Sequence, residues 1–183
     1  NRYSLSSILT ALNNKKLVVE DNIKLPILKS TNRFKTAIIL GGGQSINTHK
    51  EAIVKFANLN EDVCIIHAGI RNILKFNEVK SKQFCALVGV EGDKLLELKN
   101  NIPKFSYTYI FPPYPRKMGT SIPIEIEETA KELQSIQFTK VSSDSPLVVA
   151  AQVAFELGVT ELFLVGFDGY DVGIKNIHFS LAQ

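Results

Sequence analysis

A chain of 183 residues is long enough for one full hydrophobic core, and any second domain beside it would have to be small. Hydrophobic residues make up 45% of it and charged residues 21%, the balance of an ordinary globular protein. The net charge of +3 comes from Lys and Arg residues interleaved with acids rather than gathered on one segment, which argues against nucleic acid as a partner. No apolar run approaches the roughly 20 residues needed to cross a bilayer, and Asn1-Arg2-Tyr3 does not begin a signal peptide, so a cytoplasmic protein with no membrane span is expected.

Leu5, Ile8, Leu9 and Leu12 fall at i, i+3, i+4 and i+7, the stripe of an amphipathic helix that Asn13-Asn14-Lys15-Lys16 ends. Leu17 to Arg33 has no clear period and reads as a connecting segment lying along the main body. Residues 1–33 therefore form a helix and tether. They fit the tail of a preceding domain, in a chain that starts without an initiator Met, or equally an arm packing on its own core. Residues 34–183 are expected to be one domain.

That domain opens on Ala37-Ile38-Ile39-Leu40, a continuous apolar run suited to a strand buried on both faces. It ends in Gly41-Gly42-Gly43, followed by Gln44 and Ser45. Three glycines let the backbone turn freely and bring bare N–H groups close to an anion such as a phosphate. A glycine-rich turn also serves as a plain tight connection. The spacing is neither that of a P-loop, which needs a Gly-Lys-Ser/Thr sequence, nor the GxGxxG of a dinucleotide fold.

Thr48 and Glu51 make a capping box, placing the start of the next helix several residues past Gly43 and its end near Leu59, with Ala52, Ile53, Phe56 and Ala57 buried. His49 in its first turn reads as solvated. Val63 to Ala68 is the second strand, with Gly69-Ile70-Arg71-Asn72 at its carboxyl end. His67 there is either a general base or a hydrogen-bonding neighbour of the loops. Cys64 and Cys85, inside apolar runs and without metal-ligand spacing, read as reduced core residues.

A third strand is expected from Phe84 to Val90 and a short helix from Asp93 to Lys99. Tyr107, Tyr109 and Phe111 alternate as one aromatic face of a fourth strand, which runs into the rigid loop Pro112 to Gly119. Tyr114 and Arg116 in that loop suit stacking on a base, or simply covering the sheet edge. Pro123 to Ile136 carries Ile126, Ala130 and Leu133 in helical register. Ser145 as N-cap, Pro146 at the first helical position and Gly158 at the end delimit a helix that is apolar nearly all round, hence central and buried. Glu161 to Val165 reads as another strand buried on both faces, ending in Gly166-Phe167-Asp168-Gly169-Tyr170-Asp171.

Strands alternating with helices predict an α/β protein, a Rossmann-like three-layer fold with a mostly parallel sheet and helices on both faces. In such folds the ligand lies beyond the carboxyl ends of the strands, where strand order reverses. The loops after Leu40, His67 and Val165, together with Gly89 to Asp93 and Ser142 to Ser145, are expected to converge there.

Three segments in this order carry a family resemblance: the strand followed by GGGQSI, then SSDSPLVVAAQVAFELGV, then TELFLVGFDGY. Together, over roughly Thr36 to Asp171, they resemble the corresponding loops of motility-accessory-factor and archaeal pterin-diphosphokinase-like proteins, and of bacterial sialyltransferases of the Campylobacter kind. The resemblance implies a domain that binds a nucleotide or nucleotide-sugar and acts in bacterial surface-polysaccharide (capsule) synthesis. By position it carries phosphate and ribose contacts to Gly41, Gly42, Gly43 and Ser45, nucleotide contacts to Ser142, Ser143 and Ser145, and the closing motif to Asp168 and Tyr170. Gly42 stands where the sialyltransferases carry Asn, and His178 does not match the position of their basic His. A second resemblance is one of context: capsule-cluster aldolases of the hydroxymethylglutaryl-lyase or 4-hydroxy-2-oxovalerate type carry a similar C-terminal domain, so an aldolase domain ahead of Asn1 is a candidate partner.

Three functions stay open. The first is glycosyl transfer, with Arg71 or Arg116 neutralising the diphosphate and His67, Asp168 or Tyr170 as weak candidates for catalysis. The second is a diphosphokinase in which Asp168 and Asp171 hold Mg²⁺; otherwise no metal or cofactor is expected. The third is a non-catalytic module of a lyase. Self-association is left open.

Overall fold

The computed structural model of the chain describes residues 28–29, 32–88, 107–111, 133–135 and 145–169. The expected N-terminal helix, the helix at 93–99, the proline-rich loop and the residues after Gly169 lie outside the described residues.

Thr36–Leu40 (β1) is buried at all five positions because it has a strand on each side and a helix over each face. It pairs parallel with Val63–Ala68 (β2) in the register Thr36 to Val63, and parallel with Glu161–Val165 (β6) in the register Thr36 to Glu161. Gln83–Ala86 (β3), Thr108–Phe111 (β4) and Leu133–Ser135 (β5) continue the sheet outward from β2, each parallel to the last. The result is a six-stranded parallel sheet in the order β5-β4-β3-β2-β1-β6.

Period-2 alternation then sorts the side chains. Ile38, Leu40 and Ile65 face the helix Ser45–Leu59 (α1), which buries Ile46, Ile53 and Ala57 against them. Ala37, Ile39, Cys64, Ile66, Phe84, Ala86 and Ile110 face the helix Pro146–Glu156 (α2), which contributes Val149, Ala150, Val153 and Ala154. Each large apolar side chain so buried is worth about 1.5–3 kcal/mol. This is the α/β, Rossmann-like arrangement of helices on both faces of a parallel sheet. Leu28 and Phe34 join the α2-side cluster, so the end of the expected tether packs on the sheet. Both cysteines are free and buried, and burial pushes the Cys64 thiol up to about 12, which keeps it inert.

α2 closes as its sequence predicts. Gly158 takes φ +74°, its N–H bonds to Phe155 O at 2.9 Å, and the Val159 N–H reaches back to Ala154 O at 3.1 Å, the paired bonds of a Schellman motif. The aromatic face of β4 also stands: Tyr107, Tyr109 and Phe111 are fully buried, and the Tyr107 hydroxyl donates to Ile73 O at 2.8 Å.

Five expectations need correction. α1 begins at Ser45, directly after the glycine loop, with Gln44 as N-cap, so Thr48 and Glu51 lie inside the helix rather than at its start. On α1, Ala52 and Phe56 are exposed, and only Ile53 and Ala57 of the four residues expected to be buried are so. β3 spans Gln83–Ala86 instead of Phe84 to Val90. Leu133 to Ser135 belongs to a strand paired with β4, not to the end of a helix, because ladder bonds to β4 outweigh a local 3.6-residue register. Finally, β6 is the edge strand among the described residues: Leu162, Phe163 and Leu164 are about half exposed, and α2 beside it shows Val148 and Phe155 to solvent. Continuous hydrophobicity therefore marks the edge element here as well as the centre. No helix among the described residues is long and apolar enough to cross a membrane.

Candidate functional site

β1 leads to β2 on one side, while its other neighbour is β6, the last strand described. The sheet's topological switch point therefore lies between the carboxyl ends of β1 and β6, where parallel α/β sheets open a crevice. Two loops meet there, Gly41 to Gly43 and Gly166 to Asp168.

They meet closely. The Gly41 N–H donates to Val165 O at 2.8 Å and the Gly43 N–H to Gly166 O at 2.8 Å, extending the ladder past the strands. A Cβ on Gly41 or Gly43 would collide with Gly166 O, and Gly166 itself takes φ +81° with Ile46 2.6 Å from where a Cβ would stand. The glycines are thus required by backbone-to-backbone packing. Two of the three N–H groups expected to be bare are committed to β6, and Gly42, exposed, is left facing outward.

Ser45 and Asp168 lock the two loops together. The Ser45 N–H donates to Asp168 Oδ2 at 2.8 Å, the Ser45 hydroxyl donates to Asp168 Oδ1, and Ser45 Oγ accepts from the Gly166 N–H at 2.9 Å. The carboxylate of Asp168 therefore caps α1 from 123 residues away. These Ser45 bonds, side-chain first, hold the Asp168 carboxyl below the usual carboxylate range, with smaller help from the Gln44 N–H and the charge of His49. Ser45, expected to contact phosphate, is occupied on all three counts.

On the β2 side, Asn72 is buried and its side-chain N–H donates to Gly41 O at 2.8 Å, fixing the glycine loop from below. Its neighbour Arg71 is exposed, with Nη1 3.0 Å from where a Cβ on Gly42 would stand. Among the described residues no carboxylate lies within ion-pair distance of that guanidinium. The role of Asn72 was not legible in advance; an asparagine four residues past a strand end signals a turn equally well.

His67 is not at the rim. It is fully buried, and its Nε2 bonds Gln83 Oε1 at 2.8 Å; the Gln83 amide N–H in turn donates to Phe76 O at 3.0 Å, so Nε2 carries the proton. Its ring stands edge-on to Phe76 and Tyr107, and burial pushes it down to about 4. Its polar partner is therefore a side chain of β3 rather than a loop, and it cannot reach a ligand outside the sheet. Ser145 is the N-cap residue of α2 without a side-chain cap bond. Ser142, Ser143, Tyr170, Asp171, Arg116 and His178 lie outside the described residues. Among the described residues no three His, Cys, Asp or Glu side chains gather to hold a metal ion. Comparison with protein-family models, with curated proteins and with solved structures finds no match.

Proposed function

We propose that this domain binds a nucleotide or nucleotide-sugar at the switch point between β1 and β6, in the glycosyl-transfer chemistry of bacterial surface-polysaccharide synthesis. The observation that supports this reading best is the position of Arg71: an exposed guanidinium against the outward-facing Gly42 at the strand-order reversal among the described strands. Asp168 offers its remaining lone pairs to sugar hydroxyls beside it. A ligand that binds only the folded state stabilises it by about 2.7 kcal/mol at one hundred times Kd, roughly 5–10 °C for a domain of this size. CMP, CDP, ATP and their sugar conjugates are the panel to try by thermal shift, with and without Mg²⁺. A rise with at least one of them that is lost in Arg71→Ala is expected. No response to any would remove the binding reading, and a response only with Mg²⁺ would favour a diphosphokinase.

The withdrawal of His67 into the core favours a second reading, a non-catalytic nucleotide-binding module attached to an aldolase. It predicts binding of the nucleotide-sugar without its consumption.

A further inference from the structure

We propose that β6 is a self-association edge: two copies of the chain pair their β6 strands antiparallel about a two-fold axis through Phe163, joining their sheets into one. Among the described residues β6 has a neighbour on one side only. Between Glu161 and Val165 it carries no Lys, no Pro and no bulge, the usual devices that blunt an open edge, and its register with β1 runs unbroken through all five residues.

The backbone selects the axis. In a parallel ladder alternate residues turn their N–H and C=O towards the same neighbour. The Glu161 N–H donates to Lys35 O at 3.0 Å and Val165 O accepts from the Gly41 N–H at 2.8 Å, so Glu161, Phe163 and Val165 are the residues bonded to β1. Leu162 and Leu164 therefore turn their backbone groups outward. A two-fold axis on Phe163 sets Leu162 of each copy opposite Leu164 of the other, and each of those two pairs exchanges two hydrogen bonds. An axis on Leu162 or Leu164 instead would lose half of these bonds, because the next residues in line, Thr160 and Gly166, are already bonded within the chain, to Lys35 O at 2.9 Å and to Ser45 Oγ at 2.9 Å.

The side chains suit the same register. Leu-Phe-Leu reads alike in both directions, so Phe163 meets Phe163 on the α1 face and Leu162 meets Leu164 on the α2 face. Glu161 falls opposite Val165, so no like charges face each other, and its carboxylate is already held by Lys35 and Thr36. Phe56 of α1, edge-on to Phe163 at 6.1 Å, extends the α1 face of the patch. Taking about 200 Å² for a whole side chain of this size, the exposed parts of Leu162, Phe163, Leu164 and Phe56 come to roughly 400 Å² of apolar surface. That is half of the ~800 Å² per partner of a standard stable interface, so the association is concentration-dependent rather than permanent.

The test is cross-linking of single-cysteine variants, since the native Cys64 and Cys85 are buried and add no background. Across the proposed axis the two Phe163 Cα atoms stand about 4.5 Å apart, within the reach of a disulfide. Under mild oxidation Phe163→Cys should form a disulfide dimer at least about tenfold faster than Leu162→Cys or Leu164→Cys alone, while an equal mixture of those two should form the mixed dimer readily. In the wild type, sedimentation velocity should show the average mass rising towards that of a dimer between about 10 μM and about 1 mM. A wild type that stays monomeric throughout overturns the proposal whether or not the variants fold; a Phe163→Cys thiol that is also shielded from a small reagent in that monomer would assign the edge to another segment of this chain. Equal cross-linking rates for the three single variants, or fastest cross-linking of Leu162→Cys or Leu164→Cys alone, would overturn the axis.

Discussion

Single residues in this molecule are assigned by what holds them, and His67 is the sharpest instance. In sequence it is a histidine near a strand end. In the fold it is a neutral ring buried between Phe76 and Tyr107, with one nitrogen on Gln83 and Nδ1 without a hydrogen-bond partner. Its folded value of about 4 lies below its ordinary 6.5, so the unfolded chain takes up the proton first. Its contribution is fully present above about pH 6.5 and is lost as pH falls towards 4, a change of about 3 kcal/mol across that window. Urea titrations at several pH values should show stability declining on the acid side. In His67→Phe the part of the slope between about pH 6.5 and 4.5 should flatten, and an unchanged slope would assign the acid sensitivity to other groups.

At the scale of elements, β6 carries the main departure from expectation. Glu161 anchors its start, bonded to Lys35 Nζ at 2.8 Å and accepting from the Thr36 hydroxyl at 3.0 Å, an arrangement that lowers the Glu161 carboxyl and raises the Lys35 amine. Beyond that anchor both faces are apolar and open: Leu162 and Leu164 on the α2 side, Phe163 on the α1 side, with Phe155 74% exposed nearby. An uncovered apolar edge strand invites pairing with other chains. Leu164→Lys should therefore raise the concentration at which the domain stays monomeric in light scattering while moving Tm by no more than about 2 °C. A large fall in Tm would mean that Leu164 is covered in solution.

For the molecule as a whole, stability should be graded across the sheet. β1 is buried at every position and paired on both sides, β2 is likewise central, and β6 is exposed. Amide hydrogen exchange should be slowest in Ile38–Leu40 and Val63–Ile66, limited by global unfolding, and faster by an order of magnitude or more in Glu161–Val165. Uniform protection would contradict this gradient. The same gradient separates what was legible in the sequence from what was not. β1, β2, the aromatic face of β4 and the caps of α2 rest on local patterns: apolar runs, period-2 aromatics, a Ser-Pro start and a Gly stop. The start of α1, the strand at Leu133–Ser135 and the edge position of β6 depend on partners far along the chain, and no local pattern encodes a partner. Of the site, the glycine loop, Arg71 and Asp168 were legible as rim residues. Their division of labour was not, because it depends on which N–H groups the carbonyls of Val165 and Gly166 and the Asp168 carboxylate have already taken.

The long reach of Asp168 to Ser45 has a consequence for how the chain is made. With 123 residues between them, at about 5–20 residues per second, roughly 6 to 25 s pass between synthesis of the helix start and of the carboxylate that closes it. Throughout that interval the flank of β1 destined for β6 has no partner, and the Ala37-Ile38-Ile39-Leu40 run is itself an open edge. Newborn copies are therefore most vulnerable to aggregation just before the sixth strand emerges from the ribosome, and the apolar centre of the finished sheet is the surface most in need of a chaperone until then.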